Sequence, residues 1–135
     1  MSGRPFFDSN ILIYTLAQND PRQSVAAGLL VAGGTISVQS LNEFAAVARR
    51  KLRLSWQETT KALAAIRALC PPPLPITLTT HDAALGIAAR LGYRIYDSLI
   101  VASALEANCA TLYSEDMQDG QVIEGRLTIR NPFQP

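Results

Sequence analysis

Four acidic residues, Asp8, Glu43, Asp97 and Asp116, have the types and placement to do chemistry together. Three of them follow apolar runs: Phe6-Phe7-Asp8, Ile95-Tyr96-Asp97, and Thr111-Leu112-Tyr113 with Asp116 shortly after. Glu43 falls in the first turn of a helix expected to start at Ser40, within Ser40-Leu41-Asn42-Glu43-Phe44. Carboxylates at the ends of buried elements, spread over the whole chain, are what a hard-cation site assembled by folding requires. Four of them brought together repel, which raises some of their pKa values, and a divalent cation relieves the repulsion. Oxygen ligands select Mg2+ or Mn2+ over zinc, and these motifs contain no His or Cys. Such a cation lowers the pKa of a bound water and stabilises charge developing on a phosphate.

Each acid also has an ordinary structural explanation. Asp8 and Asp97 are placed to be helix N-caps or first-turn acids, where the helix dipole favours negative charge. Asp97 shares a helical face with Ile100, Val101 and Ala104, so its carboxylate is expected at a buried helix mouth and needs a partner. Ser40-x-x-Glu43 reads as a capping box, with Glu43 reaching back to the Ser40 N–H. Asp119-Gly120 is a turn signal, and Asp116 could serve a turn as well. The joint pattern, not any single acid, points to chemistry.

The elements that must position these residues follow from punctuation and periodicity. Pro5-Phe6-Phe7 reads as a short buried strand, followed by a helix from Asn10 to Ala17. Asp20-Pro21 opens a helix as N-cap and first-turn proline, and Gly33-Gly34 ends it. Thr35 to Val38 reads as a strand, and Ser40 starts the next helix. Another helix runs from Ser55 to Leu69, stopping before Pro71-Pro72-Pro73. Ile76-Thr77-Leu78 reads as a strand, and Thr80 caps a helix ending near Leu91-Gly92. Asp97 opens a strongly apolar helix to Ala107, with closing strands at Thr111–Tyr113 and Leu127–Ile129. Strands alternating with helices predict an α/β protein with a mostly parallel sheet covered on both faces. In such sheets ligands bind outside the carboxyl ends of the strands, where Asp8 and Asp116 fall.

The 135 residues, 48% of them hydrophobic, suit one domain spanning the chain. The net charge of +1 neither announces nor excludes nucleic acid, although ten of the twelve basic residues are arginines. Arg49-Arg50-Lys51-Leu52-Arg53 is the one dense basic run, and a solvated helix face is its ordinary reading. Cys70 and Cys109 are too few and too far apart for a zinc knuckle or a disulfide framework. His81 is the only histidine, which speaks against His-based acid–base chemistry. Met1-Ser2-Gly3-Arg4-Pro5 lacks the apolar stretch of a signal peptide, and no run approaches the roughly 18 residues of a membrane span. The expected location is cytoplasmic, away from any membrane.

Over nearly its whole length the chain resembles the PIN-domain family, and within it the VapC-type ribonuclease toxins. The resemblance rests on Phe7-Asp8-Ser9-Asn10-Ile11-Leu12-Ile13-Tyr14, Ser40-x-x-Glu43-Phe44, Tyr96-Asp97-Ser98-Leu99-Ile100-Val101-Ala102-Ser103-Ala104 and Leu112-Tyr113-Ser114-Glu115-Asp116-Met117, in that order. It implies an α/β/α sandwich and a metal-dependent endoribonuclease using Mg2+ or Mn2+. It places Asp8, Glu43, Asp97 and Asp116 on the family's acidic quartet, as catalytic and metal-binding residues. Asn10 and Ser114 match its supporting polar positions. Asp119 departs from many relatives and is either an additional supporting acid or a turn residue. The partners implied are an RNA substrate, a cognate small antitoxin and a second copy of the chain in a homodimer. Two alternatives are a phosphatase of the haloacid-dehalogenase type and a non-cleaving nucleic-acid-binding module. The phosphatase expects a second acid two residues after the first, where this chain has Asn10, and only Lys51 and Lys61 could serve as its lysine.

Overall fold

The computed structural model describes residues 3–134, so Met1, Ser2 and Pro135, all within the expected single domain, lie outside the described residues. Its centre is a four-stranded sheet in the order β1-β2-β4-β3. Strand β1 (Phe6–Phe7) runs parallel to β2 (Thr111–Tyr113), which runs parallel to β4 (Leu127–Arg130); β3 (Val122–Ile123) closes the edge antiparallel to β4. Six helices surround it: α1 (Ser9–Tyr14), α2 (Pro21–Ala32), α3 (Val38–Arg50), α4 (Trp56–Leu69), α5 (Leu78–Leu91) and α6 (Ile95–Glu106).

Successive strand side chains point to opposite faces, and the two residues of β1 show how this splits the core. Phe6 packs with Ile87, Ile100, Leu112 and Ile129, on the side of α5 and α6. Phe7 packs with Ile11, Leu30, Ile36, Phe44 and Ile66, on the side of α1 to α4. The expected helix–sheet–helix sandwich is therefore the architecture found. Helix α6 is buried continuously from Ser98 to Leu105, as a helix apolar on every face must be. Because its N-terminal turn opens where the strands end, Asp97 is delivered to the same edge as Asp8.

Two expected strands are absent. Thr35 makes a single parallel bridge to Phe6 and Ser37 one to Leu74, and α3 already begins at Val38. Ser37 is its N-cap, with its side chain accepting from the Ser40 N–H while the Ser40 hydroxyl accepts from the Ser37 N–H, each at 3.3 Å. The capping box thus uses Ser40 at its third position, and the expected pairing of Ser40 with Glu43 does not occur. The same substitution of a hydroxyl for an acid recurs at Thr77-x-x-Thr80, which caps α5 and converts the expected Ile76–Leu78 strand into a helix start. In both places β-branched and apolar residues imitate a strand, while short hydroxyl side chains satisfy the first-turn N–H groups. Helix α1 stops at Tyr14 rather than Ala17, α6 opens at Ile95 rather than Asp97, and strand β3 has no counterpart in the expected set.

Gly34 lets the chain cross closely beside β1. A Cβ at this position would lie 2.3 Å from Cε2 of Phe7, a fully buried ring. Flanking hydrogen bonds, Thr35 N–H to the Pro5 carbonyl at 2.8 Å and Phe7 N–H to the Thr35 carbonyl at 3.0 Å, prevent the backbone from moving away. Gly34→Ala is expected to destabilise the fold by about 1–3 kcal/mol through overpacking. A urea midpoint equal to wild type would show that the ring can yield.

Candidate active site

Helix α3, the N-terminal turn of α6 and the turns that follow β1 and β2 surround a cleft of about 690 Å³, whose lining includes Ser9, Gln39, Glu43, Asp97 and Asp116. Asp8 lies beneath it, only 2% exposed. Strand β1 ends at Asp8 because its side chain turns back to cap α1: Oδ1 accepts from the Ser9 N–H at 2.7 Å. Oδ2 accepts from the Ser114 hydroxyl at 2.8 Å and from Asn10 Nδ2 at 3.4 Å. Burial, helped by the charges of Glu43 and Asp97 and opposed by the hydrogen bonds from Ser114 and Ser9, pushes the Asp8 carboxyl up to about 7.

Glu43 belongs to the second turn of α3, clear of the cap. Its Oε1 accepts from the Ser9 hydroxyl and its Oε2 from Gln39 Nε2, both at 3.0 Å. Asp97, third residue of α6, is raised by burial, opposed by Arg94 and reinforced by the charge of Asp116. Arg94 Nε approaches it only to 3.7 Å. Asp116 is placed by Ser114, whose hydroxyl oxygen accepts from the Asp116 N–H at 3.2 Å and the Met117 N–H at 3.3 Å. Ser114 therefore joins the turn carrying Asp116 to the Asp8 carboxylate with one fully buried hydroxyl.

Asn10 adds a second tie, its Oδ1 accepting from the Glu115 N–H at 3.2 Å. Asp119 stands outside the cleft lining, where its Oδ1 accepts from the Asn131 N–H at 2.8 Å and orders the chain after β4. Of the positions singled out in the sequence, the acidic quartet, Asn10 and Ser114 are thus brought to one edge of the sheet, and Asp119 is not.

Sequence reasoning missed the residues that hold the acids. Gln39 lies four before Glu43, a helical spacing that could have suggested the contact. No local signal announces the clamp behind Asp116. There, Arg22 Nη1 donates to Glu115 Oε2 at 3.1 Å and to the Tyr14 hydroxyl at 2.8 Å, while its Nη2 meets Asp20 at 2.8 Å. Tyr14 also donates to Glu115 and packs edge-on against Phe133. This network ties α1 and α2 to the residue preceding Asp116, across 93 positions of sequence between Arg22 and Glu115.

The donors around the cleft are carboxylate, amide and hydroxyl oxygens, a set that fits a hard divalent cation and not a soft one. Among the described residues no three His, Cys, Asp or Glu side chains form a closed ligating cluster. Glu43 and Asp8 are instead held by neutral donors of their own, as mutually repelling carboxylates require.

The raised acids make a pH prediction for the metal-free protein. An unfolded Asp titrates near 3.8, whereas Asp8 in the fold titrates at about 7, so between these values the native state binds more protons. Stability is then highest at the acid end of this window and falls as pH rises through it, by at most about 4 kcal/mol. Asp97 acts in the same direction. Melting in chelator is expected at lower temperature at pH 8 than at pH 5.5, and Asp8→Asn should flatten the difference. A wild-type profile without slope would show that Asp8 is not strained.

A mostly parallel sheet with acids converging where its strands end, covered on both sides by helices, defines an α/β fold with a carboxylate-lined cleft. The chain belongs to the PIN domain family, whose model matches residues 6–118. A search of curated proteins finds no match. Among solved structures the fold is similar to a toxin–antitoxin complex from Klebsiella pneumoniae, with TM-score 0.72 and 18% identity, covering 97% of this chain and 99% of that one. It is also similar to Mycobacterium tuberculosis VapC20, a sarcin–ricin loop cleaving toxin, with TM-score 0.66 and 20% identity over 82% of this chain and 88% of that one. A third similarity is to VapBC2 from Rickettsia felis bound to a DNA fragment from their promoter, with TM-score 0.65 and 16% identity over 93% and 98%. At these identities the likeness is one of fold, and it agrees with the PIN domain that the family model finds.

Proposed function

We propose that the chain is a metal-dependent endoribonuclease, hydrolysing RNA phosphodiester bonds as the toxin of a toxin–antitoxin pair. The observation that carries this reading is the buried, raised Asp8 beneath a cleft lined by Glu43, Asp97 and Asp116. Membership of the PIN family and the likeness of fold to VapC20 support it.

Asp97 and Asp116 on the cleft wall, with Asp8 beneath, would hold Mg2+ or Mn2+. Mg2+ keeps several of its waters, so not every carboxylate need touch it. When bound, the cation supplies charge neutralisation and a water of lowered pKa. Glu43, aimed by Ser9 and Gln39, accepts the proton of the attacking water. Ser114 holds Asp8 and the Asp116 turn in fixed relation, which keeps the acids from splaying apart. The aspartyl-phosphatase alternative is disfavoured, because the position two residues after Asp8, where that chemistry needs a second acid, is Asn10, whose amide donates to Asp8 Oδ2.

The partner reading places an antitoxin segment over the helices near 40–53 and 55–69, that is α3 and α4, where Leu52, Trp56 and Leu69 are exposed. Helix α3 also lines the acidic cleft through Gln39, Glu43 and Arg50. An antitoxin segment seated there, with a basic side chain entering the acidic cleft, would replace the cation's charge and exclude RNA. A homodimer would use the outer face of α5, where Leu78 and Leu85 are exposed. No helix among the described residues is long and apolar enough to cross a membrane.

The test is expression of the chain alone and together with its neighbouring small reading frame, with sequencing of cellular RNA ends. Arrested growth and new RNA ends, both suppressed by the small partner, are expected. Equal growth with no complex on co-purification would remove the toxin reading, and unchanged RNA ends would remove the nuclease.

A further inference from the structure

The carboxylates occupy only part of the cleft. Arg50, Lys51, Arg94 and Tyr96 line it as well. The basic run that contains the first two divides by role once folded. Arg49 is committed to structure: its guanidinium lies 4.3 Å over the Trp56 ring and donates to the Leu54 carbonyl at 2.7 Å. Arg50 and Lys51, both exposed, make no ion pair among the described residues. Arg94 is 85% exposed along its side chain and has only the 3.7 Å approach to Asp97. Tyr96 is 62% exposed beside Asp97, with no ring partner among the described residues.

Among the described residues Arg50 and Lys51 make no ion pair although carboxylates line the same cleft, and Arg94 meets Asp97 only through a partly exposed 3.7 Å pair. Here the acids sit low and the bases lie around them, which suits a polyanion whose central phosphate meets the acids and whose neighbouring phosphates meet the bases. An uncovered tyrosine adds a stacking platform, and stacking on a side chain needs a base that is not already stacked in a helix. We infer that Arg50, Lys51, Arg94 and Tyr96 form a subsite for single-stranded RNA, the three cations binding phosphates flanking the scissile one and Tyr96 stacking a base next to it. This deepens the ribonuclease reading and rests on it for the position of the scissile phosphate. The competing explanation is local: Arg50 lies in the last turn of α3, where a cation complements the helix dipole.

The experiment measures anisotropy of a short, fluorescent, mixed-sequence single-stranded RNA bound to the full chain in Ca2+, over a series of salt concentrations. Intactness of the RNA is checked on a gel. Tyr96→Ala should weaken binding by roughly 5- to 100-fold, the range of one lost stack, while Tyr96→Phe retains it. Arg50→Gln and Lys51→Gln should each weaken binding of every sequence alike and lower the salt slope by about 0.7, as loss of one single-strand phosphate contact does. A duplex of the same sequence should bind more weakly than the single strand. Unchanged affinity in Tyr96→Ala, or unchanged salt slopes in Arg50→Gln and Lys51→Gln, would overturn the subsite. So would Arg50→Gln lowering the melting temperature without altering binding, which is the helix-end outcome. If wild type shows all the binding signatures yet cuts nothing in Mg2+ or Mn2+, the subsite stands and the nuclease reading falls. If cleavage is robust and the variants bind as wild type, the reverse holds.

Discussion

Asp8→Asn and Asp97→Asn are expected to lose RNA cleavage in Mg2+ by at least about a hundredfold while remaining folded. The loss follows from removing a hard anionic donor and its charge from a site that must neutralise a cation. The retained fold follows from the local hydrogen bonds. In Asp8→Asn the amide oxygen could still accept from the Ser9 N–H, and α6 is held by its continuous burial rather than by the Asp97 side chain. For Asp8 the structure demands more than retention. A carboxylate pushed up to about 7 by burial is a source of strain at pH 8, so its amide should melt at higher temperature than wild type in chelator. An activity loss accompanied by a lower melting temperature would point to a structural aspartate instead. Cleavage at the wild-type rate in both variants would dismiss the acidic quartet as the catalytic centre.

Glu43→Gln is expected to lower the cleavage rate by about 10²- to 10⁴-fold, the range of a lost general base, with stability unchanged within about 0.5 kcal/mol. In the sequence two explanations compete at this residue, since Ser40-x-x-Glu43 has the form of a capping box. The fold separates them. The box closes one turn earlier, between Ser37 and Ser40, so the Glu43 carboxylate has no helix-capping duty. It is turned instead toward Ser9 and Gln39 at the cleft. Glutamine keeps the length and an acceptor for Ser9 but cannot take a proton. The check is single-turnover cleavage beside a urea melt. Full activity in Glu43→Gln would leave the residue as a ligand of its helix neighbours and nothing more. A large loss of stability would revive a structural role.

How much could be read in advance differs sharply by element. Helix α2 was legible from Asp20-Pro21 at one end and Gly33 at the other, because proline and glycine act through their own backbone limits wherever they stand. Burial of α6 was legible because an apolar run on every helical face has one outcome. The false strands at Thr35–Val38 and Ile76–Leu78 failed for the opposite reason. Hydroxyl residues suit both a strand and a helix cap, and only the surrounding chain decides which hydrogen bonds are available. In each case Ser or Thr at the third helical position replaced the acid that a capping box ordinarily signals. The short β3 was illegible because two residues carry too little periodicity to be seen.

For the site, the sequence by itself determined which side chains could do chemistry. Acid, amide and hydroxyl identities, and their place at the ends of apolar runs, are local properties, and Asp8, Glu43, Asp97 and Asp116 carry them without any fold. Tertiary structure decided what each one experiences. The displacement of Asp8 to about 7 arises from burial and from charges contributed by α3 and α6, which no single stretch of chain contains. Asp119 carries the same carboxylate as Asp116 three residues away, yet faces the Asn131 backbone and not the cleft. Arg49 and Arg50 are adjacent and identical in chemistry, and the packing of Trp56 claims the first and leaves the second at the cleft. The physical reason is common to all three. Charge and hydrogen-bonding capacity belong to the residue, whereas desolvation and partner choice belong to the space around it, which distant parts of the chain assemble.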